Sequence, residues 1–302
     1  MKGFKGFNPG LICRGKQYKE NTVFFEGESA KIYGGMHFCE NPFDVLDHYP
    51  LVNEEGSFSD FAEVEALEAE TDDNKKFCTK KLKIGAKLSF GEFVRACVDF
   101  VREKTETHNA AKIGSSGNFA QIGSSGYSAK IGSSGDSTQI GNAGYFTQIG
   151  TAGDSAKIGS AGHYAQIGSS GNSARIGSAG DFARIGNAGN SAQIGSSGDS
   201  ARIGSSGDYA WIGNAGYYAK IGSAGDFARI NCTGANSVIC CAGNGSAVKA
   251  KAGCWITLSE WERQDDEWIP VCVKTEYVDG VKIKADTWYK LEDGQFVEVE
   301  TV

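Results

Sequence analysis

Sixteen consecutive nine-residue units run from Ala111 to Cys254 and occupy almost half of the chain. The regular units share one template, positions one to nine: Ala, Lys/Arg/Gln, Ile, Gly, Ser/Asn, Ser/Ala, Gly, Asp/Asn/Tyr and Ser/Phe/Tyr. A fixed short period with glycines in fixed places indicates stacked turns, because each unit can bury its apolar side only against its neighbours. The repeats therefore predict a rod.

The template also predicts the shape of one turn. Ala and Ile at positions one and three share one face of a short strand, so position two points outward. The following Gly-Ser-Ser-Gly has the small residues and the tolerance of positive φ that a tight corner needs. Nine residues cannot close a ring, so we predict a parallel β-roll with two units, or about 18 residues, per coil and eight coils. A triangular coil of about 27 residues is the alternative.

The segments on either side of the rod have different patterns. We predict an α+β domain over residues 1–104, the β-solenoid over 105–254 and a β-meander cap over 255–302. A helix is expected at Ser89–Val101, with Ser89 as N-cap and Glu92 at N3, sealing the start of the rod. Strands are expected at Asn21–Phe25, Ala62–Leu67, Lys80–Ile84, Trp268–Tyr277, Val281–Trp288 and Phe296–Val302, the last three around turns at Asp279-Gly280 and Asp293-Gly294.

Charge and cysteine content narrow the functional classes. The net charge is −7, and residues 111–254 carry ten basic and six acidic side chains, so the rod is only weakly basic and unlike a general nucleic-acid binder. The chain starts without an apolar signal segment and shows no span long enough for a membrane. The nine cysteines include no CxxC pair. We expect a cytoplasmic protein with reduced thiols and no membrane partner, and core positions for Cys232, Cys240, Cys241 and Cys254.

Template position two supplies the candidate binding residues. Long polar side chains at this position form an outward ladder that could meet an acidic or phosphate-bearing partner, and Trp211 interrupts it as a candidate hot spot. A merely solvated face that prevents sheet aggregation is the alternative. The predicted binding residues are Lys112, Lys130, Lys157, Arg175, Arg184, Arg202, Trp211, Lys220 and Arg229.

The template resembles the glycine-rich nonapeptide of calcium-binding RTX β-rolls, with two departures. The second glycine of that motif is Ser or Asn here, as in Gly132-Ser133. Position eight holds Asp in only six of thirteen regular units. Calcium needs several oxygen ligands on adjacent turns, so we predict turn-capping by Asp and Asn, and no metal or other cofactor.

Three further stretches carry a second resemblance. Cys13-Arg-Gly-Lys-Gln-Tyr18, His37-Phe-Cys-Glu-Asn-Pro-Phe-Asp-Val45 and Lys81-Leu-Lys-Ile-Gly85 resemble an uncharacterised domain common in phage and prophage proteins. There it is often fused to Gly-Ser-rich nonapeptide repeats and a tail like Trp255–Leu258. The resemblance implies a phage-type accessory protein in the host cytoplasm that binds a host protein, with counter-defence as a plausible role.

Other functions remain open. Arg14, His37 and Glu65 are loosely similar to the Arg/His…Glu layout of ADP-ribosyltransferase folds, which would make the N-terminal domain an enzyme that uses NAD. The rod could instead bind phosphates or nucleic acid, or serve as a virion or fibre component. Identical ladders are self-complementary under a two-fold axis, so a homodimer is a further alternative. We favour a non-enzymatic protein-binding rod.

Overall fold

A computed structural model describes residues 1–26, 35–53, 57–68, 70–73, 75–104 and 112–300. The fold is mainly β, as the repeats predict, and its centre is a parallel β-solenoid of eight coils. A small α+β region precedes the solenoid and two hairpins follow it. Ala111 and the end of the strand expected at Phe296–Val302 lie outside the described residues.

The N-terminal region is built from three small sheets and two helices. The elements are β1 Lys2–Phe7, β2 Ile12–Cys13, β3 Lys16–Gln17, β4 Thr22–Phe25, β5 Met36–Phe38, α1 Pro42–Val45, β6 Asp60–Ala66, β7 Glu70–Asp73, β8 Lys76–Thr79, β9 Lys81–Leu88 and α2 Phe90–Lys104. Four strands pair in the order β1-β6-β9-β4, three in the order β5-β8-β7, and β2 pairs with β3. The three strands predicted for this region correspond to β4, β6 and β9.

Helix α2 begins where the sequence predicts it. The backbone N–H of Ser89 donates to Glu92 Oε2 at 2.7 Å, and the N–H of Glu92 donates to Ser89 Oγ at 3.3 Å. This reciprocal capping box satisfies two of the donors that a helix start leaves unpaired. The accepted hydrogen bonds hold the pKa of Glu92 below its usual value.

The solenoid has one four-residue strand in each nine-residue unit. From β10 to β23, each strand residue pairs with the one 18 positions later, for example Ile131 with Ile149, which confirms two units per coil and excludes the triangular alternative. The strands are β10 Lys112–Ser115, β11 Gln121–Ser124, β12 Lys130–Ser133, β13 Gln139–Asn142, β14 Gln148–Thr151, β15 Lys157–Ser160, β16 Gln166–Ser169, β17 Arg175–Ser178, β18 Arg184–Asn187, β19 Gln193–Ser196, β20 Arg202–Ser205, β21 Trp211–Asn214, β22 Lys220–Ser223, β23 Arg229–Cys232, β24 Val238–Cys241 and β25 Ala247–Ala250.

These strands form two sheets on opposite sides of one core. The even-numbered strands β10 to β24 form the first sheet, and the odd-numbered strands β11 to β25 form the second. The isoleucines of both sheets point inward and make a continuous apolar column, for example Ile185, Ile194 and Ile203. Positions two and four point outward on each sheet, since side chains alternate along a strand.

The corners differ from the expectation in one respect. The residue with a left-handed backbone is the one at position nine, such as Ser137 (φ 54°) or Tyr209 (φ 56°), and not a glycine of Gly-Ser-Ser-Gly. The glycine at position seven is needed for another reason. A Cβ on Gly207 would overlap the carbonyl of Gly189 in the preceding coil, so only glycine lets successive corners stack.

Two hairpins extend the solenoid at its C-terminal end. They are formed by β26 Trp255–Gln264 with β27 Glu267–Tyr277, and by β28 Trp288–Glu292 with β29 Gln295–Val299. Strand β26 continues the first sheet in parallel, whereas β28 joins the second sheet antiparallel to β25. The hairpins thereby cover the final coil of the solenoid.

One of the predicted C-terminal strands is wrong. The segment 281–287 is irregular, and only Trp288 of the strand expected at Val281–Trp288 lies in a strand. The carboxylate of Asp279 accepts hydrogen bonds from the N–H groups of Val281, Lys282 and Ile283, and these hold the chain in a turn. The turn carries the chain from the first sheet across to the second. Among the described residues, no helix is long and apolar enough to cross a membrane.

Candidate functional site

The two sheets have the same repeating sequence but different surroundings. On the first sheet, position two is exposed in every strand from β10 to β24. On the second sheet, position two is buried or half-buried from β13 onward, and position four is buried from β11 to β23. The N-terminal region covers the second sheet and leaves the first one open. These surfaces are called the covered face and the open face.

Helix α2 lies along the covered face. It packs against β11, β13, β15 and β17, so it follows the flank of the rod instead of closing its end as expected. Its backbone comes close to the glycines of position four: a Cβ on Gly141 would stand 3.0 Å from Val98 Cα, and one on Gly177 would stand 2.9 Å from Val94 Cγ2. Helix α2 therefore packs directly on the position-four glycines of the covered face, which we call its glycine row.

Polar contacts join the position-two row of the covered face to the segment around α1. Lys157 Nζ lies 2.7 Å from Asp47 Oδ1 and donates to the carbonyl of Phe43 at 3.1 Å. Arg175 Nη1 lies 3.0 Å from the same Asp47 oxygen. Burial raises the pKa of Asp47, but Lys157 and Arg175 outweigh that effect and hold the pKa below its usual value. Burial raises the pKa of the neighbouring Asp44, which Lys75 and Lys157 only partly offset.

The covered face accounts for four of the predicted binding residues. Lys157, Arg175, Trp211 and Arg229 stand on this face, so they are not part of an open ladder. The Trp211 ring packs against the apolar cluster of the N-terminal region. The Arg229 guanidinium lies 5.4 Å from the centroid of the Trp211 ring. Trp211 is therefore a packing residue beneath the N-terminal region, which corrects its assignment as an exposed hot spot.

The other five predicted residues line a straight groove on the open face. Within the described parts of the chain, these five cations make no ion pair or hydrogen bond, and no carboxylate lines the groove. The glycines of position four form the floor, and the groove volume is about 1040 Å³. The cations are Lys112, Lys130, Arg184, Arg202 and Lys220, with Gln148 and Gln166 between them.

The open face continues beyond the cations into an apolar end that the sequence reading missed. Lys220 pairs in register with Val238, Val238 with Trp255, and Trp255 with Tyr277. All three apolar side chains are exposed, and the rings of Trp255 and Tyr277 lie 5.1 Å apart. Counting onward from Lys220 in a step of 18 residues and then one of 17 finds Val238 and Trp255, whereas Tyr277 lies on an antiparallel strand that the repeat does not reach.

The cysteines at this end are divided between the inside and the outside of the rod. Cys232, Cys241 and Cys254 are buried in the core as expected. Cys240 occupies position four of β24, in line with the glycine row, and is exposed, so its expected core position is wrong. No group of three His, Cys, Asp or Glu side chains suited to a metal ion occurs among the described residues.

The predicted catalytic residues do not share one cavity. Arg14 and His37 line a cavity of about 350 Å³, together with Cys13 and Tyr49, whose hydroxyl donates to Cys13 Sγ at 2.9 Å. Glu65 instead lines a different cavity, beside Lys83. The layout expected for an ADP-ribosyltransferase is therefore not assembled.

A buried amine lies in the first of these cavities. Lys5 is buried and donates to the carbonyl of His37 at 2.8 Å. Burial lowers the pKa of Lys5, and the thiol of Cys13 opposes the shift only in part. Burial also raises the pKa of Tyr49. These contacts connect β1 to β5 inside the N-terminal region.

The Asp and Asn side chains of position eight hydrogen-bond to the neighbouring coil. Asp136 Oδ1 accepts from the backbone N–H of Asp154 at 2.9 Å, and Asp208 Oδ1 accepts from that of Asp226 at the same distance. Asn190 does the same for Asp208, so the charge is not needed. This is the turn-capping role expected for the Asp and Asn side chains of position eight.

A stack of aromatic rings lies along the other corner of each coil, on the side of the rod opposite the corner that holds Asp136 and Asp208. Phe146, Tyr164 and Phe182 stand at position nine of alternate units, with ring centroids 4.8 and 4.9 Å apart and ring planes within 9° and 5° of parallel. Each ring is packed against its neighbours on this edge and presents its rim to solvent. The stack therefore reinforces the contact between coils.

Comparison with known proteins adds little to this picture. A family model described as "Domain of unknown function (DUF7666)" matches residues 1–96. This stretch covers the N-terminal sheets and the first half of α2 and stops before the solenoid. No curated protein and no solved structure matches the chain.

Proposed function

We propose that the protein is a binding rod whose open face holds an acidic surface of another protein. The observation that carries this proposal is the row of glycines on the open face beside a row of unpaired cations. Among the described residues, no carboxylate lines the groove of the open face, so these cations are available to pair with the carboxylates of a partner.

The glycines of the open face are not required by the fold. A Cβ on Gly132, Gly150 or Gly204 would meet no atom within 4 Å, and none of these residues has a positive φ. Glycine inside a strand lowers stability by roughly 0.5–1 kcal/mol relative to alanine. Glycine in a strand often marks a place where another backbone or a ligand approaches closely, which is its role on the covered face.

The cations of the open face repel one another. Arg184 pairs in register with Arg202, and Arg202 with Lys220, so like charges lie directly opposite each other on neighbouring strands. Such pairs are destabilising. On the covered face the equivalent Lys157 and Arg175 meet the carboxylate of Asp47. Carboxylates of a partner would relieve the repulsion on the open face in the same way.

A protein fits the open face better than a nucleic acid does. The cation row is interrupted by Gln148 and Gln166, and it ends in exposed Val238 and Trp255. Nucleic-acid binders carry a strong basic excess, whereas this chain has a net charge of −7. An apolar anchor beside charged groups is typical of protein interfaces.

The resemblance to phage and prophage proteins supports a host protein as the partner. We therefore place the protein in the cytoplasm of the host and propose counter-defence as its role: the rod would occupy the partner's acidic surface and block its contacts. No catalytic step is part of this proposal.

The test is capture of partners from a nuclease-treated host extract with matched charge reversals. The triple variant Lys130→Glu, Arg184→Glu and Arg202→Glu changes the open face. The control variant Lys19→Glu, Lys83→Glu and Arg95→Glu changes the net charge equally, at cations away from that face. A photo-crosslinker at Gln166 identifies proteins that touch the groove.

We expect one protein that crosslinks at Gln166, binds wild type and the control variant, and is lost with the triple variant. Equal loss with both triple variants would show non-specific charge attraction and would overturn the proposal. Recovery of nucleic acid alone when nuclease is omitted would also overturn it.

A further inference from the structure

The covered face shows what a glycine row of this rod accepts. A Cβ on Gly141 would meet Val98 and Val101, and a Cβ on Gly177 would meet Val94 and Phe90. Gly141 and Gly177 are two coils apart, and the residues of α2 that they face are about two helical turns apart. The helix runs nearly along the rod, with its N-terminus toward the later coils.

This match has a simple geometric cause. An α-helix rises about 5.4 Å per turn, and neighbouring strands in a sheet lie about 4.8 Å apart. A slightly inclined helix therefore places one turn on each coil. Apolar residues at spacings of three or four, such as Phe90, Val94, Val98 and Val101, then meet successive glycines.

Glycine is what permits this contact. A Cβ on Gly141 would stand 3.0 Å from Val98 Cα and 3.1 Å from Val98 O, so the helix backbone lies directly against the strand. A larger side chain at position four would push the helix away. The polar position-two row lies beside the helix and engages carboxylates, as Lys157 does with Asp47.

The open face repeats these features without an occupant among the described residues. Its strands carry the same Ile-Gly pair in the same 18-residue register, as for Gly132 and Gly150. We infer that the open face binds an amphipathic α-helix of the partner protein, one turn per coil along the glycine row, with acidic residues facing the cations. This inference rests on the proposed function and names the element that is bound.

The dimensions and the charges specify that helix. The glycine row from Gly114 to Gly222 covers six coil steps, about 29 Å, which equals about 19 helical residues. The partner helix needs valine-sized or aromatic residues on one stripe and carboxylates along the flank. If it runs in the direction of α2, its N-terminal end lies beside Trp255, which offers an apolar anchor.

The chain itself provides the probe. A peptide with the sequence of Ser89–Lys104, constrained as a helix by a side-chain staple on its polar face, is added to the full-length protein. A second peptide carries Arg95→Glu and Arg102→Glu to supply carboxylates for the cation row. A third has the composition of the second, rearranged so that apolar and polar residues alternate as in a strand. Fluorescence anisotropy measures binding of each.

Two double variants of the protein are compared: one places side chains in the groove, and the other leaves the groove unchanged. Gly168→Val with Gly186→Val places side chains on the groove floor, where a Cβ on Gly186 meets no atom within 4 Å and one on Gly168 meets only the carbonyl oxygen of Ile149, at 4.0 Å. Ser170→Val with Ala188→Val changes exposed corner residues of the same two coils. Thermal unfolding checks that both variants stay folded.

We expect the acidic helical peptide to bind most tightly, and the glycine double variant to weaken it about tenfold or more, with no loss from the corner variant. An unconstrained, isotope-labelled copy should show helical chemical shifts when bound. Tighter binding of the alternating peptide, or an unchanged affinity with the glycine double variant, would overturn the helix inference.

The proposed function can survive that failure. A captured partner that is lost with the cation triple variant but unaffected by Gly168→Val and Gly186→Val would still support protein binding, with the helix inference refuted. Self-association of the full-length protein that the same glycine variants abolish would identify a second copy as the occupant and would refute a helix.

Discussion

The Nζ of Lys157 lies 2.7 Å from Oδ1 of Asp47, and this contact joins the third coil of the solenoid to the N-terminal region. The Lys157 side chain is only 6% exposed, whereas that of Asp47 is 41% exposed. The ammonium group thus depends on a carboxylate that water also reaches. This pair anchors the N-terminal region on the covered face.

Replacing Asp47 should loosen that anchor. In Asp47→Asn, the buried ammonium of Lys157 keeps only the carbonyl of Phe43 and the more distant Asp44 as partners. We expect the free energy of unfolding to fall by about 1–2 kcal/mol, because a buried charged donor loses its main acceptor. Urea unfolding measures this. Asp286→Asn, which breaks the exposed pair with Lys251, is the control and should change little.

The contribution of Asp47 should also depend on pH in a defined direction. Its pKa is lower in the folded protein than the unfolded value of about 3.9. Its stabilising effect is then complete above about pH 4 and is lost as the pH falls through the lower folded pKa. The difference in melting temperature between wild type and Asp47→Asn should be constant near neutral pH and shrink below about pH 4. A difference that grows on acidification would contradict the assignment.

Two glycines of one repeat unit should respond in opposite ways to the same substitution. Gly204→Ala places a methyl group in open space and removes the entropic cost of glycine, so stability should rise by about 0.5–1 kcal/mol. Gly207→Ala drives a methyl group into the carbonyl of Gly189 and should cost about 3 kcal/mol. Thermal and urea unfolding of both variants check this. Equal effects would contradict the stacking of corner glycines.

Two tryptophans, one in the position-two row of each face, should separate stability from binding. Trp211→Ala removes a ring packed beneath the N-terminal region and should lower the free energy of unfolding by about 1–3 kcal/mol. Trp255→Ala removes a ring that is 48% exposed at the end of the open face and should leave stability nearly unchanged. It should instead weaken partner binding, as loss of an aromatic anchor does. The reverse pattern would contradict the assignment of the two faces.

The position-eight ladder should need an acceptor but neither a charge nor calcium. Asp208→Asn retains an oxygen for the N–H of Asp226 and should be tolerated. Asp208→Ala leaves that donor without its partner and should cost about 0.5–1.5 kcal/mol. A chelator should not shift the melting temperature of wild type. A chelator-induced drop would indicate a calcium ladder.

The solenoid could be predicted from the repeats because period and burial agree. Isoleucine at position three of every unit but the last, which has Val248, specifies the core, and two units are the fewest that close a coil. The capping box at Ser89 and Glu92 predicted the start of α2 for an equally local reason. The alternating pattern of Val281–Trp288 predicts a strand, but that pattern carries no information on the hydrogen bonds to the Asp279 carboxylate that hold the start of this segment in a turn.

The candidate site could be predicted only in part. Position two was identified correctly as outward, but the two faces carry the same sequence. Which of them is covered depends on where residues 1–104 pack, and no local pattern states that. Trp211 and Trp255 illustrate this: Trp211 occupies position two, Trp255 pairs in register with position two of the preceding strand, and their different roles follow from the face on which each one stands.

The 18-residue coil also limits how such a gene can change in length. Recombination between repeats can add or remove 18 codons, which is one whole coil. Such a change lengthens or shortens both faces together and leaves every later side chain on the face where it was. A slip by a single nine-residue unit would exchange the faces downstream of the event. Lys220 would then turn toward the N-terminal region and Trp211 toward solvent. Viable relatives should therefore differ by whole coils, and the reach of the open face would be adjustable in steps of about 4.8 Å.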